Sequence, residues 1–449
     1  MTSVRTQTKA AALLAAFALA LAALWASAQP ATALAADLAA GSLDGAAATQ
    51  VETQSTYEYL DSAGKITISD RTAGTATYNE STKTITLNGV KAKALSINIQ
   101  GGSFTLVMNG ASSLQDLFSY SSLTVKGAGS LAISESLDAF DNSVLTMTQG
   151  TISGQVFAGK LTMTGGKIMG SGVTAKISAR NGLVMSGGTI ALSSPKYTGI
   201  SVTNGDFTMT GGTLSVLNAG SSGVDVSHYA TTSSPNTGKI TITGGSLSIT
   251  VKAPTTSYAM YAASMSNPLG CFKTLQGRLP FGAQFTVGNN LYQVMKLTMD
   301  VKLMKYNGKA KKVKVNKVSF GGYNYEVGGI GAGAFNTKAG KKVTSIALNS
   351  YITEIGAKAF ANTKALKKLT FKYMGWMKRV YDAKYNLKKV KVDSASVIAK
   401  KAFTKCGKNG GKSLTVVIGR TGVWHKEAAK YKKLLRSRGM SKYVKLKTY

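Results

Sequence analysis

Three closely spaced carboxylates are the strongest candidates for chemistry in this chain. Glu135, Asp138 and Asp141 follow one another at intervals of three residues, a spacing that suits a loop or a single turn. Clustered carboxylates bind calcium, or serve as the acid and base of polysaccharide cleavage. The sequence favours a third interpretation, a solvated loop that keeps a glycine-rich protein soluble. No cofactor is therefore expected, with calcium at this trio as the alternative.

Aromatic side chains in loops are the second kind of candidate, since aromatic rings stack on the apolar faces of sugar rings. Tyr197 lies near Pro195, while His228 and Tyr229 lie in the longest insertion between repeated segments, residues 219–238. Such loops project where a ligand can reach them. We take Tyr197, His228 and Tyr229 as candidate carbohydrate-binding residues. The alternative is that they only cover the ends of loops.

Most catalytic motifs are missing from the sequence. The two histidines, His228 and His425, are 197 residues apart, so they form neither a two-histidine metal motif nor a local acid–base pair. The glycine-rich matches at Gly127, Gly170 and Gly329 lack the strand, the helix and the downstream acid of a dinucleotide site. The sequence therefore predicts a protein that is not an enzyme, with a polysaccharide lyase or hydrolase as the alternative.

Charge divides the chain into two regions. Residues 37–300 contain 16 Lys and Arg against 14 Asp and Glu, whereas residues 301–449 contain 36 against 5, a net charge of +31. A region so basic repels itself unless polyanions surround it. We expect an anionic cell-wall polymer, or a glycan or protein of a host surface, as its partner, and no nucleic acid. The candidate polyanion-binding residues are Lys309, Lys311, Lys312, Lys314, Lys367, Lys368, Lys388, Lys389 and Lys391.

The elements that position these residues are repeats. Four segments share one pattern, in which apolar residues alternate with Thr or Ser, a Gly pair follows, and a second apolar stretch begins; they start at Leu161, Leu183, Phe207 and Ile240. Weaker copies start at Ile85, Phe104, Leu123 and Leu145. A period of two predicts half-buried strands, and this short, variable spacing is typical of the coils of a parallel β-helix. A β-sandwich is the alternative architecture.

The segment from Tyr78 to Asn88, together with the Gly-Gly repeats, resembles the carbohydrate-binding β-helix domains of exported proteins from Gram-positive gut bacteria. The resemblance covers roughly residues 57–262. It implies a pectate-lyase-like fold, polysaccharide binding and sometimes calcium, but usually no lyase chemistry.

The basic region contains a second repeat. The cassettes 330–335, 355–360 and 398–403 each begin with Ile and end in Ala-Phe, and lie near amphipathic strands at 343–348, 366–371, 387–392 and 414–418. The cassettes and the strand at 318–327 that leads into them resemble the BspA-like leucine-rich repeats of bacterial adhesins, which implies adhesion. The segment 429–436, followed by Gly439, suits a helical cap. The 43 residues between Ile355 and Ile398 predict an inserted or irregular repeat.

The first residues predict export. Arg5 and Lys9 precede an apolar run that ends in small residues, which is the pattern of a secretory signal peptide. We expect cleavage after residue 28 or after residue 35, with an uncleaved membrane anchor as the alternative, and no transmembrane segment in the mature chain. Cys271 and Cys406 could form one disulfide, which the sequence leaves open.

The sequence thus predicts a mainly β protein that is secreted or bound to the surface of a bacterium, with a right-handed parallel β-helix followed by a short leucine-rich-repeat domain. Its expected parts are a signal peptide (1–28), a linker (29–56), the β-helix (57–262), a junction (263–290) and the basic repeats with their helical cap (291–449). Its expected function is to bind polysaccharide and anionic surfaces. A structural, wall-associated spacer is the alternative.

Overall fold

Strands dominate the structure. A computed structural model describes residues 56–61, 64–228, 236–296, 300–372, 377–381, 387–392, 397–418 and 425–448. Of these residues, 55% lie in strands and 4% in α-helix. The mainly β fold predicted from the two-residue alternation is therefore confirmed. The predicted signal peptide and nearly all of the linker lie outside the described residues.

Antiparallel strands begin the described chain. Strands β1 (Tyr57–Asp61) and β2 (Gly64–Ser69) pair with each other, and β2 and β3 (Ala73–Asn79) each pair with β4 (Thr84–Asn98). Together they occupy the edge of β4 that faces away from the strands that follow. An edge covered in this way offers fewer unpaired backbone groups to other chains.

Eighteen further strands continue the same sheet. Their bounds are β5 Ser103–Asn109, β6 Ala111–Ser119, β7 Ser122–Lys126, β8 Ser130–Met147, β9 Thr151–Met163, β10 Lys167–Ser171, β11 Ile177–Ala179, β12 Leu183–Met185, β13 Thr189–Ser193, β14 Ile200–Val202, β15 Phe207–Met209, β16 Thr213–Ala219, β17 Ser222–Val226, β18 Lys239–Ile242, β19 Ser246–Val251, β20 Tyr258–Tyr261, β21 Ser264–Ser266 and β22 Phe272–Leu275.

Among strands β4 to β22 every pairing is parallel, and these strands form three ladders. The first ladder joins β4, β5, β7, β8, β9, β12, β15, β18 and β21. The second joins β6, β8, β9, β10, β13, β16, β19 and β22. The third joins β4, β6, β8, β9, β11, β14, β17 and β20. From β9 onward the chain visits the first, second and third ladders in that order and then repeats.

The predicted repeat register agrees with the pairing. Leu183 pairs with Leu161 and with Phe207, and Phe207 pairs with Ile240. The first and third apolar residues of each repeat are buried in one continuous core, including Met163, Met185 and Met209. The predicted start of the first weak repeat at Ile85 is wrong, because Ile85 pairs with Leu106 rather than with Phe104. The strand that contains Ile85 begins at Thr84, directly after a turn, so the repeat lacks its first apolar residue there.

Both glycines of the repeat are required by the backbone. At Gly187 a Cβ atom would collide with the carbonyl oxygen of Thr164 in the preceding repeat, so the chains can approach only without a side chain. Gly188 has a φ of +75°, a conformation that L-residues with a Cβ atom rarely adopt. The Gly pair therefore fixes the bend between the first and second ladders.

The basic region builds two further sheets and a hairpin. Strands β23 Gln284–Val287, β24 Asn290–Val294, β25 Val301–Lys305, β27 Lys317–Phe320, β28 Tyr323–Ile330, β30 Glu354–Ile355 and β34 Val397–Ile398 form a mixed sheet. Strands β26 Lys312–Val315, β29 Ser345–Leu348, β31 Lys368–Phe371, β35 Thr415–Ile418 and β36 Lys445–Thr448 form a parallel sheet in that order. The hairpin consists of β32 Met377–Tyr381 and β33 Leu387–Val392.

The cassettes align their phenylalanines. Ile330, Ile355 and Ile398 pair in register, and the rings of Phe335, Phe360 and Phe403 then stack at centroid distances of 5.4 and 5.3 Å. All six of these side chains are buried. The phenylalanines of the three cassettes therefore form one stack in the buried core of this region.

Two expectations about this region need correction. The segment 387–392 is a strand, but it pairs antiparallel with β32 and lies outside the parallel sheet; the inserted hairpin accounts for most of the long interval between cassettes. The segment 318–327 is a hairpin rather than one strand, since Gly321 and Gly322 both have positive φ and form its turn. The predicted helix is present as α1 (His425–Ser437).

Candidate functional site

The acidic trio lies in a strand. Glu135, Asp138 and Asp141 all belong to β8, so the predicted loop or single turn is wrong. The alternation of buried Leu137 and Ala139 with outward residues keeps the backbone extended on either side of Asp138. The side chain of Asp141 lies outside the described part of the molecule. Among the described residues no group of three His, Cys, Asp or Glu side chains could hold a metal ion.

Asp138 instead faces a second carboxylate. The Ser136 hydroxyl lies 3.3 Å from both Asp116 Oδ1 and Asp138 Oδ2, and the Ser136 backbone N–H also donates to Asp116 Oδ1 at 3.3 Å. Burial raises the pKa of Asp138, the Ser136 hydroxyl lowers it, and the negative charge of Asp116 raises it further. A carboxyl group in this environment is incompletely solvated and can accept hydrogen bonds from a ligand.

Aromatic rings surround this pair on the outward face of the third ladder. The rings of Tyr120 and Phe140 stack with centroids 4.4 Å apart and an interplanar angle of 14°, and Phe118 lies 6.3 Å from Phe140. Tyr120 is 45% exposed, and it follows Ser119, which pairs with Ile97 next to the exposed Asn98. Phe140 thus covers one face of the Tyr120 ring, and nearly half of the Tyr120 side chain remains exposed.

Rings and carboxylate alternate from strand to strand. Asp138 pairs in register with Phe118 on one side and with Phe157 on the other, so the three side chains form a row across β6, β8 and β9. The ammonium group of Lys176 lies 5.5 Å from the Phe157 ring centre. We call Asp116, Phe118, Tyr120, Asp138, Phe140 and Phe157 the aromatic–acidic face.

Only Asp138 of this face is among the residues predicted from sequence. Asp116, Phe118, Tyr120 and Phe140 occupy alternate positions in 116–120 and 136–140, where Leu117 and Leu137 are buried, and Phe157 lies in β9. Which outward positions become neighbours depends on the pairing of β6, β8 and β9. That pairing joins residues about 20 apart and includes register shifts.

The predicted loop aromatics lie elsewhere. Tyr197 is 65% exposed, with the Lys196 ammonium 5.1 Å from its ring centre. His228 is exposed, and its Nδ1 lies 3.0 Å from the Thr237 hydroxyl. Tyr229 lies outside the described residues. Among the described contacts of these two residues, Tyr197 meets Lys196 and His228 meets Thr237, so a shared site for them stays a prediction.

The predicted lysines fall on three elements. Lys309, Lys311, Lys312 and Lys314 are exposed on or just before β26, and Lys367 and Lys368 are exposed at the start of β31. Lys388, Lys389 and Lys391 lie in β33, where Lys391 pairs with Lys378; their side chains lie outside the described part. The parallel sheet therefore brings the first two groups to one surface, and the third belongs to the inserted hairpin.

Both cysteines are buried free thiols, and no disulfide joins them. The Thr363 hydroxyl donates to Cys406 Sγ at 3.3 Å, and both residues are buried. Burial raises the pKa of Cys406 to about 11. A thiol with so high a pKa is a poor nucleophile at neutral pH.

Comparison with known proteins identifies no relative. No family model, no curated protein and no solved structure matches the chain. No helix among the described residues is long and apolar enough to span a membrane. The candidate sites must therefore be interpreted from their own geometry.

Proposed function

We propose that this chain is a non-catalytic protein, secreted or held at the surface of a bacterium, that binds polysaccharide through its first region and anionic polymers or host surfaces through its basic region. In this proposal the three ladders are the faces of a right-handed parallel β-helix. The basic region is a short leucine-rich-repeat array, with α1 as its cap. The fixed order in which the chain visits the ladders supports the first assignment, and the aligned cassettes support the second.

The row Phe118, Asp138 and Phe157 carries the carbohydrate proposal. Sugar rings present apolar C–H faces and hydroxyl edges, so they are recognised by aromatic rings beside hydrogen-bond acceptors. Neighbouring strands are about 4.8 Å apart, and a glycan that crosses them would meet rings and carboxylate in turn. The open face of Tyr120 lies beside this row and offers a further stacking surface.

A glycan array tests this proposal. The full mature chain should bind a subset of polysaccharides, and Tyr120→Ala and Asp138→Asn should each weaken that binding by about tenfold, the effect of losing one good stacking or charged hydrogen-bond contact. Tyr197→Ala is the control, because it removes another exposed tyrosine ring, one that follows β13 and does not belong to the aromatic–acidic face. A larger loss in Tyr197→Ala would move the site to the loop predicted from sequence.

A lyase or hydrolase is the second candidate, and the raised pKa of Asp138 beside Asp116 is the observation that favours it. Carboxyl groups whose environments separate their pKa values act as acid and base in glycosidases. Release of soluble products from pectin-type substrates, abolished in Asp138→Asn, would replace the non-catalytic proposal with this one. Binding without product release supports the proposal made above.

Calcium binding by Glu135, Asp138 and Asp141 remains a prediction from the sequence. An ion that binds only the folded state raises the melting temperature by mass action. A rise in millimolar calcium that is absent from a triple Ala variant would place the ion there. An equal rise in that variant would place it elsewhere.

A further inference from the structure

The parallel sheet of the basic region presents a row of regularly spaced lysines. The pairings of β26, β29, β31, β35 and β36 align Lys312, Ser345, Lys368, Thr415 and Lys445 in that order. The three lysines are exposed, and the next residue of each strand points into the protein. We call these five residues the lysine row. Since strands are about 4.8 Å apart, its charges recur about every 9.6 Å along a line perpendicular to the strands.

The charges of this row are unpaired within the described part of the chain. Glu354 binds Lys302 at 2.6 Å, and Glu326 binds Lys317 at 2.9 Å. Among the described residues no ion pair includes a lysine of the row, and the two intervening positions carry hydroxyl groups. Exposed Lys311, Lys314, Lys367 and Lys447 flank the row. The surface therefore offers a line of cations with neutral hydrogen-bonding groups between them.

The spacing selects among polyanions. The five aligned positions follow the pairing across neighbouring strands, and Lys314 and Lys447 lie two residues further along β26 and β36. Cations aligned in this way suit an extended linear chain laid across the strands. The charge period of the row spans two strands, comparable with the length of a disaccharide. We infer that the lysine row binds an acidic polysaccharide that carries one anionic group on every second sugar, laid across the strands with neutral sugars over Ser345 and Thr415. This inference rests on the proposed polyanion binding of the basic region and names its ligand class.

The experiment compares polymers of different charge spacing on the full mature chain. Hyaluronan carries one carboxylate per disaccharide, polygalacturonate one per sugar, and dextran none. Hyaluronan should bind most tightly per carboxylate although its charge density is lower. If attraction to net charge alone decides binding, polymers with denser charge, including duplex DNA, should bind more tightly than hyaluronan. That result would overturn the inference.

Matched variants locate the site. The triple variant Lys312→Gln, Lys368→Gln and Lys445→Gln should bind hyaluronan about tenfold more weakly, the loss expected for three exposed ion pairs. The control Lys341→Gln, Lys364→Gln and Lys408→Gln removes the same charge from other exposed positions and should change affinity less than about twofold. The conservative variant Lys312→Arg, Lys368→Arg and Lys445→Arg should retain binding. Equal losses in the two Gln variants would show diffuse attraction and overturn the inference.

The two proposals fail in different ways. If the chain binds no polyanion at all, the proposed role of the basic region and this inference both fall. If it binds polyanions without preference for spacing or for the row, only the inference falls. Binding of neutral glycans, and its loss in Asp138→Asn, reports separately on the aromatic–acidic face.

Discussion

The carboxyl group of Asp138 is held in an environment that opposes its charge. Burial is the main cause of its raised pKa, and the nearby Asp116 adds to it. An acid whose pKa is higher in the folded than in the unfolded state stabilises the fold only while it is protonated, so stability is lost as pH rises through the folded-state pKa. At neutral pH the charged side chain therefore costs stability, as is common at binding sites.

Asp138→Asn should consequently raise the melting temperature at neutral pH. The amide keeps the shape of the side chain and removes the charge that burial disfavours. The gain should shrink as pH falls through the folded-state pKa and vanish below the ordinary range of an aspartate, where both side chains are neutral. Thermal unfolding across a pH series measures it. Asp206→Asn is the comparison, because Asp206 is exposed and its carboxylate accepts a hydrogen bond from the Lys239 backbone N–H, which the Asn side-chain oxygen can also accept. A lower melting temperature at neutral pH would contradict the proposed environment.

Lys401 adopts a conformation that suits glycine. Its φ is +62°, and the equivalent cassette positions are Lys358, with a φ of +55°, and Gly333, with a φ of +65°. A left-handed conformation costs an ordinary L-residue about 1–2 kcal/mol. The first cassette thus already contains the residue that the turn favours.

Lys401→Gly should raise the free energy of unfolding by about 0.5–1 kcal/mol, because the relieved strain exceeds the entropy that glycine adds to the unfolded chain. Urea denaturation measures the change. Lys400→Gly, one residue earlier and also exposed, should lower stability, since no strain is relieved there. The same sign for both substitutions would show that the turn is not strained.

At the scale of elements, glycine meets two separate physical requirements, a positive φ and close packing against a neighbouring repeat. Gly188 needs a positive φ and also leaves room for the carbonyl oxygen of Gly165, whereas Gly172 has a φ of +80° with open space around it. A Cβ atom at Gly172 costs only the conformational strain. At Gly188 it also displaces the bend of the preceding repeat.

Gly172→Ala should therefore lower stability by about 1–2 kcal/mol, and Gly188→Ala by more than that. The difference between the two variants measures the close approach of successive repeats. Urea denaturation of both proteins gives the values. Equal losses would mean that the backbone relaxes around the new methyl group, and the close packing at this bend would then not be essential.

Local sequence patterns predict where strands lie and which side chains point inward. They predict less well which residues of different strands become neighbours. The repeats at Leu161, Leu183, Phe207 and Ile240 could be aligned from sequence because identical glycines mark the same bend. The aromatic–acidic face could not be assembled in that way, since no such marker aligns 116–120 with 136–140. The predicted loop for Glu135, Asp138 and Asp141 is wrong, because a spacing of three residues carries no information about which strands pair.

At the scale of the whole molecule, one end of the sequence is almost neutral and the other strongly cationic. The net charge of +31 in residues 301–449 must repel itself within one folded region. Salt screens this repulsion: the Debye length falls from about 10 Å at 0.1 M to about 3 Å at 1 M. The basic region should therefore be stabilised by ions even where no specific site binds them.

The melting temperature of the full chain should rise between about 0.01 M and about 1 M sodium chloride, the range over which the Debye length falls from about 30 Å to about 3 Å. A variant with six exposed lysines of the basic region changed to Gln should melt at a higher temperature in low salt and respond less to added salt. Scanning calorimetry measures both. An unchanged salt response in that variant would show that repulsion between lysines does not limit stability.

The distance along the chain between paired repeats varies, although the pairing does not. Leu161 and Leu183 are 22 residues apart, whereas Phe207 and Ile240 are 33 apart, and each pair occupies the same position of the first ladder. Natural selection can therefore lengthen a corner loop without moving the core. Duplication of one whole repeat would add one strand to every ladder, so a gene of this kind can change the reach of its product in steps of about 4.8 Å.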